Sequence, residues 1–75
     1  MDKLRQDESI GKNIKNLRKT SKLTQEQVVA RLQLKGSTTM RSVYSRYETG
    51  ELNIKISDLR ILKEIFSCSF DDFFI

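Results

Sequence analysis

The chain has 75 residues, one cysteine, no histidine and a formal net charge of +4. That length predicts a single domain with a small hydrophobic core. The cysteine and histidine counts exclude an intrachain disulfide and a Cys/His zinc site. The sequence contains neither a signal peptide nor an apolar run long enough to span a bilayer, so we expect a soluble cytoplasmic protein.

The basic residues are concentrated in the first two thirds of the chain. Nine Lys or Arg residues and a single acid, Glu26, lie between Ser9 and Arg46, whereas residues 51–75 contain three basic and five acidic residues. This asymmetry predicts a polyanionic partner such as nucleic acid, although solubility alone explains the charge about as well. A membrane surface fits less well, because no predicted helix combines a basic face with a broad aromatic face.

The first predicted helix runs from about Glu8 to Ser21. It is indicated by an apolar stripe at helical spacing formed by Ile10, Ile14 and Leu17. The preceding residues 1–8 are polar and of mixed charge, which predicts a frayed terminus or an early helical turn. Proline is absent and no β-alternation persists along the chain, so the predicted class is all-α with four to five short helices.

The second predicted helix has the clearest start signal in the chain. Thr24 and Gln27 are spaced as an N-cap and the third helical residue of a capping box, and Leu23 and Val28 take the positions of a hydrophobic staple. This helix is predicted to end just before Gly36, because glycine adopts the left-handed conformation after a helix without steric cost.

The third predicted helix, from about Met40 to Glu48, divides into two chemically different faces. Its inward face is formed by Val43, Tyr44 and Tyr47. Its outward face is formed by Arg41, Ser42, Ser45 and Arg46. These side chains supply two guanidiniums and two hydroxyls, and the face has no carboxylate. Such groups suit the edges of DNA bases, since Arg offers guanine a bidentate fork and Ser can bond to any base. An ordinary solvated helix face is the alternative interpretation.

The C-terminal third predicts a loop at 51–55, a fourth helix over about Ser57–Phe66 and a short final turn over Phe70–Phe74. The final turn follows a second capping-box pattern, Ser69-Phe70-Asp71-Asp72. Cys68 has apolar neighbours and is interpreted as a small core residue. The terminal Phe73-Phe74-Ile75 is a candidate dimer contact, because a small core cannot easily cover three large apolar side chains.

Several short motifs occur along the chain in a particular order. They are Leu17-Arg18, L-T-Q-E-Q-V at 23–28, S-R-Y-E-T-G at 45–50, Asp58-Leu59, Leu62-Lys63 and S-F-D-D-F-F at 69–74. In this order and spacing they resemble the helix-turn-helix family of phage repressors, Cro and the xenobiotic-response-element regulators. The resemblance covers about residues 10–74. It implies a lambda-repressor-like compact bundle that acts as a transcriptional regulator, most simply a repressor, and needs no cofactor.

The resemblance also implies a role for each matching residue. The third helix would lie in the major groove, with base contacts from Arg41, Ser42, Ser45 and Arg46. Phosphate contacts are implied for Thr24, Gln25 and Asn53. Arg18 and Glu48 match a pair that forms a salt bridge in some members and sets the angle of the recognition helix. The implied partner is double-stranded DNA, bound by a homodimer on a roughly palindromic operator.

The chain departs from the family pattern at several positions. The link between the second and third helices, around Leu34–Thr39, is longer than the family's short turn. Its polar side chains are weaker candidates for contacts with the DNA backbone, namely Lys35, Ser37, Thr38 and Thr39. Met40 stands where the family often has a capping Ser or Thr. Other unusual residues are Val29, Gln33, Tyr44 and Tyr47. These changes bear on how the third helix enters the groove.

Two other functions remain open from the sequence. The same scaffold suits a protein-interaction module, such as an antitoxin or an antirepressor partner, which would use the apolar C-terminal segment. A restriction–modification controller protein would still bind DNA and differs only in its biological role. An enzyme is not expected, because the chain has no histidine for general base catalysis and no Gly-rich phosphate loop or cluster of metal ligands.

Overall fold

The computed structural model describes residues 6–74, with side chains from Ile10 onward. It contains four α-helices, α1 (Gln6–Thr20), α2 (Gln25–Leu34), α3 (Arg41–Thr49) and α4 (Ile56–Phe66), and a C-terminal 3₁₀ helix (Phe70–Phe74). No β-strand occurs in this part of the chain, so the predicted all-α class is confirmed. The expectation for residues 1–8 lies largely outside the described residues, and α1 begins at Gln6. None of the described helices is both long and apolar enough to cross a membrane.

The predicted start of α2 is confirmed in detail. The Thr24 hydroxyl accepts the backbone N–H of Gln27 at 3.1 Å, and the Gln27 side-chain oxygen accepts the backbone N–H of Thr24 at 2.9 Å. Val28 is fully buried and Leu23 packs against the same core, as a hydrophobic staple requires. Four residues of local sequence therefore determine where this helix begins.

Glycines in the left-handed conformation follow both α2 and α3. Gly36, just after the C-cap Lys35, has a φ of 100°, and Gly50 at the end of α3 has a φ of 84°. A side chain is strained at such angles, which explains why glycine occupies both places. Gly36 therefore lies within the link that leads into α3, and Gly50 ends that helix.

The core is assembled from all five elements. Its buried apolar members are Ile14, Val28, Val29, Leu32, Tyr44, Tyr47, Leu59, Leu62, Phe66 and Phe73. Helix α1 packs against α3 and the 3₁₀ helix, and α2 packs against α3 and α4. Helix α3 is therefore held between two neighbours, and Tyr44 and Tyr47 face inward as predicted. Cys68 is partly buried against the same core, in line with its interpretation as a packing residue.

The terminal aromatic segment divides between core and surface. Phe73 was a candidate dimer contact, but its side chain is completely buried, and the Asn13 side-chain amide donates to its backbone carbonyl at 2.8 Å. Phe73 is therefore a core residue, because the 3₁₀ helix folds back onto α1. Phe74 remains 59% exposed, and Ile75 lies outside the described residues.

Helix α1 crosses α3 at very short range, and Gly11 makes this possible. A Cβ added to Gly11 would lie 2.5 Å from the carbonyl oxygen of Tyr47 and 2.7 Å from that of Glu48. Both neighbours are backbone atoms, which cannot rotate away as a flexible side chain could. Glycine is otherwise unfavourable inside a helix by about 1 kcal/mol, so close helix packing is the reason for its presence here.

Candidate nucleic-acid interface

Helix α3 has one buried face and one face open to solvent. Tyr44, Tyr47 and Glu48 are buried. The open face carries the four predicted base-contacting residues, Arg41, Ser42, Ser45 and Arg46, and Thr49 is exposed on the same side. At about 100° per residue these four fall within an arc of about 140°. The structure thus brings all four predicted base-contacting residues onto one side of a single helix, with Ser45 the least accessible of them.

Both arginines of this face extend into solvent, and each lies near one carboxylate. The Arg41 side chain is 59% exposed, with its Nη1 atom 3.3 Å from Oε2 of Glu26 on α2. The Arg46 side chain is 61% exposed, with its Nε atom 3.9 Å from Oε1 of Glu51. Exposed ion pairs of this kind contribute about 0–1 kcal/mol and are screened by salt. A stronger hydrogen-bond acceptor can therefore replace the carboxylate beside either arginine.

The two serines differ in their local bonding. The Ser45 hydroxyl donates to the backbone carbonyl of Ser42 at 3.0 Å, one helical turn back. This arrangement is common for serine inside helices and can be exchanged for a ligand contact by rotation of one bond. Ser42 is exposed in the first turn of α3.

The predicted phosphate-contacting residues lie at two separate places. Thr24 is exposed at the N-cap of α2, where the first N–H groups of the helix lack partners within the helix. Gln25 is half-buried instead, and its Nε2 atom donates to Oε1 of Glu48 at 3.0 Å. In the free protein its side chain therefore supports α3 rather than extending toward solvent. Asn53 is exposed in the loop after α3.

The ion pair between Arg18 and Glu48 that the family resemblance implied is present. Arg18 Nε lies 2.6 Å from Oε2 of Glu48, its Nη2 lies 3.2 Å from Oε1, and its Nη1 donates to the carbonyl of Leu23 at 2.9 Å. The Glu48 side chain is only 3% exposed. One carboxylate thus connects the end of α3 to α1 and, through Gln25, to the start of α2.

The protonation of this group follows from its donors. Burial alone would raise the pKa of Glu48, but the donors around the carboxylate, Arg18 foremost, outweigh burial and lower that pKa below its ordinary value. Glu48 is therefore ionised at neutral pH. A buried charge with both oxygens bonded resists displacement, because moving it would leave the charge unpaired.

Tyr44 packs beside this ion pair with an unusual hydroxyl group. The buried Tyr44 hydroxyl lies near the Glu48 carboxylate but forms no hydrogen bond of ordinary geometry within the described residues. Burial, reinforced by the nearby Glu48 carboxylate, raises the pKa of the phenol, so the group stays neutral. An unsatisfied buried hydroxyl is costly, whereas the aromatic ring contributes to the core.

A second buried carboxylate, Asp58 on α4, holds the long link between α2 and α3. Asp58 is 1% exposed, and its Oδ1 atom accepts the Ser37 hydroxyl at 2.7 Å. Its Oδ2 atom accepts the Thr39 hydroxyl and, at 2.8 Å, the Tyr47 hydroxyl. The Ser37 hydroxyl also accepts the backbone N–H of Thr39 at 3.0 Å. We call Asp58, Ser37, Thr39 and Tyr47 the Asp58 cluster.

The Asp58 cluster changes the role expected for the link residues. Ser37 and Thr39 were weak candidates for contacts with the DNA backbone, but their hydroxyls point inward to Asp58. Burial alone would raise the pKa of Asp58, and the three hydroxyl donors outweigh burial and lower the pKa. The carboxylate is thus ionised and joins the link, α3 and α4. Lys35 and Thr38 remain exposed.

Sequence reasoning named Asp58 only as part of a motif and missed its buried role, and it missed Gly11 altogether. An acid in the first turn of a helix is ordinarily explained by the helix dipole, and this explanation hides the fact that Asp58 is buried. The sequence signal for a buried acceptor such as Asp58 was the link rich in Ser and Thr, since hydroxyls that do not cap a nearby helix need other acceptors. For Gly11 the signal was a glycine inside a helical pattern, which often marks a close approach of two backbones.

The comparisons with known proteins add no relative to this description. No protein-family model matches the chain, and neither the curated proteins nor the solved structures compared with it give a significant match.

Proposed function

We propose that this protein is a sequence-specific DNA-binding transcriptional regulator of the helix-turn-helix type, most simply a repressor. Helix α3 would enter the major groove with Arg41, Ser42, Ser45 and Arg46 toward the bases. One observation carries the proposal: these four side chains share a single solvent-facing side of α3, while the opposite side is locked into the core. The resemblance of the sequence motifs to phage repressors and Cro points in the same direction.

The charge distribution supports the same proposal. Nine of the 14 basic residues lie between Ser9 and Arg46 with one acid, and counterion release from neutralised phosphates would supply most of the affinity. Glu26 and Glu51 partly neutralise the two arginines in the free protein. Such exposed ion pairs contribute only about 0–1 kcal/mol, so a bidentate contact of Arg with guanine would displace the carboxylates and would add about 1–3 kcal/mol of discrimination against other bases.

The buried contacts that join α3 to its neighbours suit a helix whose orientation must stay fixed. Glu48 joins α3 to α1 and α2, and Asp58 joins it to the link and α4. Base-specific hydrogen bonds need the recognition helix held in one orientation, because small displacements remove bidentate geometry. In the proposed complex Arg18 and Glu48 position the helix, and Thr24, Gln25 and Asn53 lie toward phosphates.

Two substitutions on α3 test the proposal. Arg41→Ala with Arg46→Ala should weaken binding to a selected operator by about 30-fold or more and relax base preference at the positions they contact. The charge-matched control is Arg60→Ala with Lys63→Ala on α4, which should lower affinity far less and leave base preference unchanged. Operators come from selection out of a randomised duplex pool, with affinities measured at several salt concentrations. Unchanged affinity and preference in the α3 variant would reject the assignment.

A protein-interaction module is the second candidate, and one surface feature favours it. An apolar groove of about 190 Å³ is lined by Ile10, Leu52, Asn53, Ile54, Ile56, Leu59 and Phe74. Ile56 and Phe74 are both well exposed at its edge. Absence of any salt-sensitive binding to random duplexes would favour this module over the DNA-binding function. A restriction–modification controller predicts the same DNA binding as the main proposal.

A further inference from the structure

The first residue before α3, Met40, breaks a local rule of helix formation. It is the N-cap of α3, and its side chain makes no capping hydrogen bond. Ser, Thr, Asp or Asn at this place would bond to a free N–H of the first turn and stabilise the helix. At the equivalent position Thr24 of α2 forms a complete capping box, whereas Lys55 of α4 also lacks a capping hydrogen bond, so what distinguishes Met40 is an apolar residue at an uncapped start.

Burial does not compensate for the missing cap. Met40 is 63% exposed, so its thioether side chain contributes little to the core. Sequences that specify a fold tend to satisfy local rules, and departures without a packing benefit concentrate at functional positions. Met40 directly precedes Arg41 and Ser42, the first residues of the proposed base-reading face.

The backbone that carries Met40 is held firmly on both sides. On one side, the carbonyl of Thr39 accepts the Gln33 side-chain amide at 3.1 Å and the Thr39 hydroxyl is bound to Asp58. On the other side, the carbonyl of Met40 itself accepts the backbone N–H groups of Val43 and Tyr44 at 3.1 and 2.9 Å. An exposed apolar group is thus presented at a defined place rather than on a mobile loop.

We infer that Met40 is a specificity-determining residue that contacts the C5-methyl group of a thymine in the operator. This inference rests on the proposed function of α3. Among the base edges exposed in the major groove, only thymine presents an apolar group, its C5-methyl. Apolar side chains recognise this methyl group by direct contact. Methionine suits such a contact because its flexible, polarizable side chain adapts to an irregular surface. Arg41 beside it would bond to a neighbouring base edge.

The test uses the full chain and operators selected from a randomised pool. Each thymine in a selected half-site is replaced in turn by deoxyuridine, which removes only the methyl group. At one position per half-site, this replacement should weaken binding of the unsubstituted protein by about fourfold, the value expected for one buried methyl-sized group. Met40→Ala should weaken binding to the thymine operator and abolish the difference between thymine and uracil at that position.

Two further variants separate reading of DNA from folding. Met40→Ser restores a capping side chain, so it should raise the melting temperature while losing the thymine preference. Leu34→Ala removes an exposed apolar residue at the end of α2 and should leave the thymine preference intact. If the protein binds its operator and no thymine shows a methyl effect that depends on Met40, the inference is overturned. If no duplex binds in a salt-sensitive way, the proposed function itself is rejected.

Discussion

At the scale of single residues, the two buried tyrosines of α3 differ in what their hydroxyls do. Tyr47 donates to Asp58 at 2.8 Å, whereas the Tyr44 hydroxyl lacks a partner among the described residues. Both rings are fully inside the core and meet edge to face, with centroids 6.2 Å apart. The same residue type therefore contributes packing at one position, and packing together with a charge-assisted hydrogen bond at the other.

This difference predicts unequal effects of removing the same atom. Tyr47→Phe should lower the free energy of unfolding by about 1.5–3 kcal/mol, because Asp58 loses a donor to a buried charge. Tyr44→Phe should change it by less than about 1 kcal/mol, since no formed bond is lost. Urea denaturation of both variants at neutral pH measures the two values. Equal losses would show that the Tyr44 hydroxyl is bonded after all.

At the scale of elements, the link between α2 and α3 is ordered by a carboxylate from α4. A link of this length and composition would otherwise sample many conformations, because its local sequence contains Gly36 and no helical or strand pattern. Ser37 and Thr39 bind Asp58, and the Gln33 amide binds the Thr39 carbonyl. The position of α3 relative to α2 thus depends on a residue that is distant in sequence.

The lowered pKa of Asp58 predicts how stability depends on pH. The Asp58 carboxylate binds a proton more weakly in the folded state than in the unfolded chain, where its pKa is near 3.8. The stabilisation from the ionised carboxylate is therefore complete above that pKa and is lost as pH falls through the lower folded-state pKa. Glu48, also with a lowered pKa, acts in the same direction. Acidification below about pH 4 should therefore reduce the free energy of unfolding.

Asp58→Asn isolates the contribution of this group. At neutral pH the variant should be less stable by about 3 kcal/mol, because an amide cannot accept all three hydroxyls and no longer carries charge. The gap between variant and parent in the free energy of unfolding should narrow as pH falls below about 4 and through the lowered folded-state pKa of Asp58. Denaturation curves at a series of pH values measure it, with Asp71→Asn as the control, since Asp71 is exposed. A gap that stays constant with pH would contradict an ionised Asp58.

At the scale of the whole molecule, the proposed function would let one unit of this size read only half of a palindromic site. The proposed function therefore needs two copies with their α3 helices about one turn of DNA apart. Phe73 does not serve this purpose because it lies in the core. Phe74 and Ile56 remain exposed beside the apolar groove and are the candidate surface for self-association.

Substitution of Phe74 tests this surface without disturbing the core. Phe74→Ser should weaken self-association by about tenfold or more, the range expected for loss of one buried aromatic side chain. Binding to a full palindrome should weaken accordingly, while binding to an isolated half-site should not change. Sedimentation equilibrium without DNA and titrations on both duplexes measure these effects. Leu34→Ser is the matched control on another exposed apolar residue, and equal effects from both would exclude the Phe74 surface.

The sequence by itself determined the features that arise from neighbouring residues. The helical pattern, the capping box at Thr24, the glycine that follows α2 and the inward face of α3 were all predicted, because each depends on residues within about one helical turn. The same spacing placed Arg41, Ser42, Ser45 and Arg46 on the open side of α3. Their contact with bases stays a prediction, as do the phosphate contacts of Thr24, Gln25 and Asn53.

Apart from the Arg18–Glu48 ion pair, which the family resemblance implied, only the tertiary structure decided which distant groups meet. Asp58 and Thr39 are 19 residues apart, and Asn13 and Phe73 are 60 apart, so no local pattern encodes their pairing. The tertiary structure also made Phe73 a core residue, turned Gln25 toward Glu48 and required glycine at position 11. Such outcomes depend on how helices pack, because packing selects which polar groups are buried together and must then satisfy one another.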